Sequence, residues 1–492
     1  MSQTSENLGR RATRGAGVMM ATQLVRFALQ IGSIAVLSRL LTPAQVGLVA
    51  MVTAVLNVAE IIRDFGLSSA AIQAPTLSKA QRSNLFWLNL GIGSVCSVLA
   101  AASAPALAWT YGRPELVPIV LALAGIFILS GANTQYRADL SRDLRFKALA
   151  VTDIGAQALS IAAAITAAAL GAGYWAIVIQ QLTMAIVSLI SNALQCRWLP
   201  GRPRRDVPMR KFITFGSHLL GSNLLGYAVN NVDNIGVGLV WGPGPLGLYN
   251  RAYQLLQQPL QQITAPLFRV VLPVLSRVQD DETAYLHFFR RFQVAACYTL
   301  GLGFAILAGI AVPVTDVLLG ASWSGVAPIL TVLAVGGVFK GMDSTSYYIW
   351  VSKNITGKLF RFYLVSRPLM ILVILAGLPW GPVGVAVGHL VAAIANWLIS
   401  TRLACRYAGL PARALIGRPA KILTMAVLPA GGAAYAASLL PLPALVQAAA
   451  GLAAGLVCAG ALSLLIGPLR RELVPLVQLA VRAARRLPHT SP

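Results

Sequence analysis

The sequence LLTPAQVGLVA, residues 40–50, recurs in altered form about 200 residues later as VWGPGPLGLYN, residues 240–250. Identical residues keep the same spacing in both stretches: Pro43 pairs with Pro243, Gly47 with Gly247, and Leu48 with Leu248. Two further segments match at a similar offset: VPIVLALA (117–124) with APILTVLA (327–334), and GAGYWA (171–176) with GPVGVA (381–386). Self-similarity at one period indicates a duplicated structural unit. The chain therefore contains two copies of one bundle.

The composition places both copies in a membrane. The chain is 57% hydrophobic and only 11% charged, with a mean hydropathy of +0.71, whereas soluble domains are roughly 45–50% apolar and about 25% charged. A helix needs about 20 apolar residues to cross a bilayer. Runs of that length predict fourteen helices, at 15–38, 44–67, 83–108, 115–136, 148–170, 173–195, 212–240, 246–275, 292–314, 325–350, 361–380, 382–403, 419–440 and 443–467.

The predicted fold is an all-α polytopic membrane protein of two six-helix lobes plus a C-terminal helix pair. Because six is an even number, the lobes share one orientation and are related by a pseudo-twofold axis along the membrane normal. The last two helices are apolar and are expected to face lipid or an apolar ligand. The predicted divisions are an N-lobe at 1–196, a basic cytoplasmic linker at 197–211, a C-lobe at 212–408, the accessory pair at 409–467 and a basic cytoplasmic tail at 468–492.

The charge distribution predicts sidedness. The net charge is +24, and thirty-one of the 39 Lys and Arg residues fall in alternate connections or in the tails. Cytoplasmic loops carry the excess of Lys and Arg, so both termini are expected in the cytoplasm and the chain in the inner membrane. This alternation argues against nucleic acid as a partner. The five scattered cysteines indicate no metal or disulfide framework, and no sequence motif indicates an enzyme or a cofactor.

Polar residues interrupt the apolar runs on particular helical faces. In helix 7, Asn223, Tyr227, Asn230 and Asn234 recur at spacings of 4, 3 and 4 residues, with Asp233 beside them. Helix 1 carries Gln23 and Gln30 at the repeat offset from Asn223 and Asn230, with Arg26 on the same face. Helix 8 carries Asn250, Gln254, Gln257 and Gln261. Such faces are tolerated where they line a watery cavity, which we predict between the lobes. The alternative is interhelical hydrogen bonding worth about 1 kcal/mol per contact.

Charged residues at bilayer depth are the strongest functional candidates, because each costs at least about 2.5–3.5 kcal/mol to insert. Arg26, Arg251 and Lys340 are the cations, and Asp233 and Asp343 are the anions. Structural alternatives remain open for two pairs of these residues. Asp233 and Arg251 fall at similar depths and can form an ion pair that only locks a helical hairpin. Lys340 and Asp343 can neutralise each other within one helix.

The segments LLTPAQVGLVAMV, FGLSSAAIQ and NNVDNIGVGLVWGPGPLGLYNRAYQLLQQPLQQITAPLFRVVLPVLSRVQDD resemble the Wzx-type polysaccharide flippases. These belong to the multidrug/oligosaccharidyl-lipid/polysaccharide (MOP) exporter superfamily. The resemblance covers helices 1 to 12, and residues 230–281 are its most specific part. It implies two lobes around a cationic cavity and the transfer of undecaprenyl-diphosphate-linked oligosaccharide from the inner to the outer leaflet. It also implies a polysaccharide polymerase and chain-length machinery as partners.

The candidate residues fit this implication. Arg26, Arg251 and Lys340 are expected to bind a diphosphate. Amide and hydroxyl groups are expected to face the sugars: Gln23, Gln30, Asn223, Tyr227, Asn230, Asn234, Gln254 and Gln257. Asp233 and Asp343 are candidates for coupling to H⁺ or Na⁺. A multidrug or cation antiporter of the same superfamily is the alternative function, which a cavity holding three cations disfavours.

Overall fold

The computed structural model describes residues 2–63, 67, 71, 77–204, 209 and 231–475. Its helices follow the predicted spans closely and are numbered in the same order. In the first part of the chain they are α1 (Ser2–Leu40), α2 (Pro43–Arg63), α3 (Lys79–Tyr111), α4 (Leu116–Arg142), α5 (Phe146–Ala169), α6 (Trp175–Cys196) and α7 (231–241). In the second part they are α8 (Pro243–Arg277), α9 (Glu282–Gly309), α10 (Val326–Ser352), α11 (Thr356–Ala376), α12 (Gly381–Ala408), α13 (Ala412–Ser438) and α14 (Ala444–Leu465).

The described helices confirm an all-α polytopic membrane protein. Within the described ranges, 11 helical stretches are long and apolar enough to cross a membrane. One of them, Thr356–Ala408, contains both α11 and α12. α8 spans 35 residues but carries the amide-rich face predicted for helix 8. Part of helix 7 lies outside the described residues.

Local sequence signals set the helix ends. Oγ of Ser78 accepts a hydrogen bond from the backbone N–H of Gln81, and Oε1 of Gln81 accepts one from the backbone N–H of Ser78, so α3 starts with a capping box. The same helix ends at Gly112, whose φ of 63° is a left-handed conformation that glycine adopts without steric cost. Asp281 caps α9 by accepting a hydrogen bond from the N–H of Ala284.

The chain divides into two compact units, Met1–Gly247 and Leu248–Pro492. The division lies beyond the predicted linker at 197–211, because the first turn of α8 packs on α2. A Cβ added to Gly47 would overlap the carbonyl oxygen of Pro243, and one added to Gly247 would overlap the carbonyl oxygen of Pro43. The two repeated sequence elements therefore pack reciprocally against each other's backbone. The lobe boundaries derived from the repeat stay predictions.

In the first unit, α3 and α4 cross at two glycines. A Cβ on Gly131 would lie 2.6 Å from the carbonyl oxygen of Asn89, and one on Gly93 would overlap the carbonyl oxygen of Phe127. Small residues at membrane helix interfaces permit this close approach of backbones. One end of the same crossing holds an ion pair between Arg82 and Asp139. The α3–α4 pair is therefore held by backbone packing and by a charge pair.

In the second unit, an aromatic cluster fills the space between α9, α10 and α12. Its fully or nearly fully buried members are Tyr285, Phe289, Phe292, Tyr348 and Trp350. The α13–α14 pair packs on the other end of α9, where Gly309 approaches the backbone of Gly431 and Tyr298 shares a hydrogen bond of 2.8 Å with Ser463. The pair therefore buries one side against α9, while Leu456, Val457 and Leu465 remain exposed on its other side.

We expect Gly93→Leu to destabilise the first unit, because its side chain must displace the backbone of α4. Overpacking of this kind typically costs about 1–3 kcal/mol. The measurement is the apparent unfolding temperature of the purified protein in detergent. Gly125→Leu is the matched control on α4, because a Cβ there meets no atom within 4 Å. Equal unfolding temperatures for both variants would contradict the close-packing account.

Candidate functional site

Arg26 of α1 forms a polar cluster with α5 in the first unit. Its Nε donates a hydrogen bond of 3.0 Å to Oε1 of Gln157, and its Nη1 lies 3.4 Å from Oδ2 of Asp153. The amide of Gln157 in turn donates to the backbone oxygen of Arg26 at 3.0 Å, and lies 3.4 Å from Oε1 of Gln30. Two predicted site residues, Arg26 and Gln30, are therefore brought together by Gln157.

A second arginine completes this cluster. Arg137 of α4 donates from both terminal nitrogens to the carboxylate of Asp153, at 2.6 and 3.0 Å. The Asp153 side chain is only 7% exposed, whereas the side chains of Arg26 and Arg137 are 36% and 42% exposed. One buried carboxylate thus positions two accessible guanidinium groups. The cluster has a formal charge of +1 and can receive an anion.

Sequence reasoning identified Arg26 but missed Asp153, Arg137 and Gln157. The predicted fourth span ends at residue 136, one residue before Arg137, whereas α4 continues to Arg142. Asp153 was a usable signal, because a carboxylate within an apolar run needs a partner at bilayer depth. The identity of that partner depends on how α1, α4 and α5 pack, which the sequence does not state.

The remaining predicted residues of the first unit occupy different environments. Gln23 is exposed on α1. Asp233 is fully buried and Asn234 is 5% exposed; Oδ1 of Asp233 accepts hydrogen bonds from the backbone and side-chain nitrogens of Asn234, at 2.8 and 3.3 Å. Asn223, Tyr227 and Asn230 lie outside the described residues. The sugar-facing and ion-coupling roles of all these residues stay predictions.

In the second unit, α8 presents the predicted polar face as a chain of hydrogen bonds. Arg251 is 6% exposed, and its Nη1 donates to Oε1 of Gln254 at 2.9 Å. The amide of Gln254 donates to Oδ1 of Asn250 at 2.8 Å. The Arg251 guanidinium lies 5.8 Å from the ring centre of Trp323, which is compatible with a cation–π contact. The predicted ion pair of Arg251 with Asp233 remains untested.

Tyr253 connects three further polar residues of the second unit. Gln257 donates to its hydroxyl at 3.1 Å, the Lys340 ammonium lies 5.8 Å from its ring centre, and the His389 ring centre lies 6.0 Å away. Gln257 and Lys340 were predicted from the sequence, whereas Tyr253 was not. Its aromatic side chain gave no polar signal of its own beside the amides of helix 8.

Asp343 has a partner on a neighbouring helix. Its Oδ2 accepts a hydrogen bond of 2.8 Å from Nδ2 of Asn396 on α12. Asn396 is 5% exposed and was not identified from the sequence. From the sequence, we considered neutralisation of Asp343 by Lys340 within α10. The hydrogen bond from Asn396 shows that Asp343 also has a partner on another helix. Among the described residues, no group of three or more His, Cys, Asp or Glu side chains could hold a metal ion.

Comparison with known proteins identifies the family of this chain. The family model described as polysaccharide biosynthesis protein matches residues 36–328. The chain belongs to this family. The match covers all of α2 to α9 and the adjoining part of α1, and so includes Asp153, Arg137 and the polar face of α8. It confirms the resemblance to polysaccharide flippases inferred from the sequence.

Several curated relatives of this chain are described as polysaccharide biosynthesis proteins. The chain is 23% identical over 407 residues to the lipopolysaccharide biosynthesis protein WzxC of Escherichia coli K12, covering 80% of this chain and 81% of the relative. It is 28% identical over 313 residues to the teichuronic acid biosynthesis protein TuaB of Bacillus subtilis 168, covering 60% and 62%. It is 24% identical over 328 residues to the succinoglycan biosynthesis transport protein ExoT of Rhizobium meliloti 1021, covering 66% and 65%.

Solved structures establish the fold. The lipid II flippase MurJ, in an inward closed conformation, aligns with a TM-score of 0.69 over 91% of this chain and 98% of its own, at 14% identity. An inward-facing multidrug resistance MATE transporter aligns with a TM-score of 0.59 over 80% and 96%, at 15% identity. The family member therefore has the fold of MOP superfamily transporters.

We expect Arg137 to couple more strongly than Arg26 to Asp153, because two short hydrogen bonds join the first pair and one 3.4 Å contact joins the second. Contacting residues in such networks couple by about 0.5–3 kcal/mol. Both coupling free energies can be measured by double-mutant cycles with Asp153→Asn, Arg137→Gln and Arg26→Gln. The free energy of unfolding of each variant is measured in mixed micelles. An Arg26 coupling as large as that of Arg137 would contradict this geometry.

Proposed function

We propose that this protein transfers polyprenyl-diphosphate-linked oligosaccharide from the inner to the outer leaflet of the cytoplasmic membrane. The two lobes would alternate access to the two sides of the membrane, with the basic linker at 197–211 and both termini in the cytoplasm. The protein is a multi-pass membrane protein of the polysaccharide biosynthesis protein family. The lipid-linked substrate and the transport cycle are the proposed steps.

The Arg26–Asp153–Arg137 cluster carries this proposal. A diphosphate bears more than one negative charge and offers oxygens that guanidinium groups bind in a planar, bidentate geometry. Asp153 neutralises only one of the two arginines, so the cluster retains a positive charge that an anionic substrate can satisfy. Its arginines are also partly accessible. The cluster thus has the charge and the openness that a diphosphate requires.

The sugar part of the substrate would bind through amide and hydroxyl groups. Gln30 and Gln157 provide such groups in the first unit, and Asn250, Gln254 and Gln257 provide them in the second. Each of them hydrogen-bonds to another side chain: Gln157 to Gln30, Gln254 to Asn250, and Gln257 to the hydroxyl of Tyr253. A sugar hydroxyl can replace such a partner because it both donates and accepts, so exchange between side chain and sugar keeps the buried groups satisfied.

The descriptions of the relatives support an exported polysaccharide as the product. Lipopolysaccharide, teichuronic acid and succinoglycan stand in the names of three of them. The alternative, export of cationic drugs, is supported by the MATE fold likeness alone, and fold does not determine function. A cluster with a net positive charge would repel a cationic drug. Coupling of transport to H⁺ or Na⁺ at Asp233 or Asp343 remains part of the proposal.

We expect Arg26→Gln and Lys340→Gln to abolish or strongly reduce glycan export, because each removes a cation proposed to contact the diphosphate. Each variant is expressed in a strain that lacks the native copy, and surface glycan is quantified together with lipid-linked oligosaccharide retained on the cytoplasmic leaflet. Arg113→Gln is the control, since Arg113 is exposed between α3 and α4. Membrane insertion is checked by the amount of full-length protein in the membrane fraction.

The same strains separate the two functions. Loss of surface glycan with unchanged sensitivity to cationic drugs supports the flippase. Normal glycan export in both Arg26→Gln and Lys340→Gln would reject the proposed role of the cations, and altered drug sensitivity with intact glycan would favour the antiporter.

A further inference from the structure

An apolar groove runs along the first unit between α2 and α3, well away in sequence from the polar residues of α1 and α5. We call it the α2–α3 groove and define it by Val58 and Ile62 on α2, and by Trp87, Gly91, Val95 and Ser103 on α3. Its volume is about 720 Å³. The large side chains of this set are between 36% and 59% exposed. The groove is therefore accessible from outside the first unit.

The groove is longer than one leaflet of a bilayer. Trp87 and Ser103 stand 16 positions apart on one helix, which corresponds to about 24 Å at a rise of about 1.5 Å per residue. The hydrocarbon core of a bilayer is about 30 Å thick, so one leaflet contributes about 15 Å. A fatty acyl chain confined to its leaflet would occupy only part of the groove. A longer hydrocarbon chain fits its full length.

Gly91 leaves the middle of the groove unfilled. A Cβ added to Gly91 would meet no atom within 4 Å, unlike one added to Gly93 on the opposite side of α3. Gly91 is thus not needed for helix packing. The small residue instead deepens the groove between Trp87 and Val95, where a bound chain would lie against the helix backbone.

The end of the groove at Trp87 is held beside two arginines. The indole Nε1 of Trp87 donates to the carbonyl oxygen of Gly201 at 2.8 Å, and the N–H of Gly201 donates to Oγ of Ser83 at 3.1 Å. Asn84 exchanges two hydrogen bonds with the backbone of Arg204, at 2.6 and 2.8 Å. These bonds fasten residues 201–204 of the basic linker to the first turns of α3.

Arg202 and Arg204 are exposed on this fastened segment. Their charges therefore lie at one end of the apolar groove. Trp87, which forms part of the groove wall there, is hydrogen-bonded to the same segment. A ligand that matches both features has a phosphate group at one end and a long hydrocarbon chain. Polyprenyl phosphates and diphosphates have this chemistry. Anionic phospholipids share the charge but have chains of leaflet length.

We propose that the α2–α3 groove binds the polyprenyl chain of a polyprenyl diphosphate carrier as the carrier is collected from the membrane, with its diphosphate at Arg202 and Arg204 before transfer to the Arg26–Asp153–Arg137 cluster. This inference rests on the proposed function and specifies where the lipid part of the substrate docks. The site lies on α2 and α3, and not on the α13–α14 pair that the sequence analysis associated with an apolar ligand. It would collect the carrier from the leaflet on the side of the basic linker.

Binding to the purified full-length protein in phosphatidylcholine nanodiscs tests the groove. The probe is polyprenyl diphosphate without sugar. We expect Gly91→Leu to weaken its binding about tenfold, because the added side chain displaces several methylene groups of the bound chain. Gly125→Leu is the control, since it adds the same side chain to an open glycine on α4, and its affinity should equal that of the unaltered protein. Arg202→Ala combined with Arg204→Ala should weaken binding at least as much.

Photo-crosslinking locates the bound chain. A photoreactive amino acid replaces Val95 in the groove or, as a control, Leu121, an exposed apolar residue of α4. Capture of the probe at position 95 but not at 121, reduced by excess polyprenyl diphosphate but not by phosphatidylglycerol or inorganic diphosphate, supports the proposal. Equal capture at both positions, competition by phosphatidylglycerol, or unchanged affinity in Gly91→Leu would overturn it.

Different experimental results would contradict the groove proposal and the proposed function. Binding that depends on Gly91, in a protein that supports no glycan export in cells, would retain the groove and reject the flippase. Normal glycan export by a protein whose probe binding does not depend on Gly91 would reject the groove and leave the flippase standing.

Discussion

The close crossing of α3 and α4 is the constraint on which the first unit depends. Gly93 and Gly131 let the two backbones touch, and any side chain at either position would separate them. Lipid does not drive membrane helices together by the hydrophobic effect, so packing of this kind must hold them. The crossing fixes which side of α3 faces α4. It thereby leaves the α2–α3 groove open on another side of α3, and carries Arg137 on α4 to Asp153.

Charges within the membrane are stabilised in two different ways in the two units. In the first unit, the buried carboxylate of Asp153 forms ion pairs with both Arg137 and Arg26, so two positive charges surround one negative charge. In the second, Arg251 is buried beside Gln254 and Trp323, and Asp343 is hydrogen-bonded by Asn396. The duplicated fold thus supports unequal charge arrangements.

Residues 201–204 of the linker also form part of the surface of α3. The linker segment 201–204 is basic and was expected only to join the lobes. Its hydrogen bonds to Ser83, Asn84 and Trp87 fix it on α3, so its arginines have a defined place. Proline and glycine in GRPR leave the segment non-helical, which frees its backbone groups for these bonds.

The sequence by itself determined the helices, because apolar length and the alternation of basic connections are properties of the chain read locally. It also determined the duplication, through the spacing of Pro43 and Gly47 with Pro243 and Gly247, and it marked Arg26, Arg251 and Lys340, since charge in an apolar run is visible without a structure. The partners of these charges were decided only by tertiary structure. Arg137 and Asp153 lie on different helices, as do Asp343 and Asn396, and the rotation of each helix about its axis depends on contacts such as Gly93 with the backbone of α4. Hydropathy records how apolar a segment is, but not which neighbour its polar atoms meet.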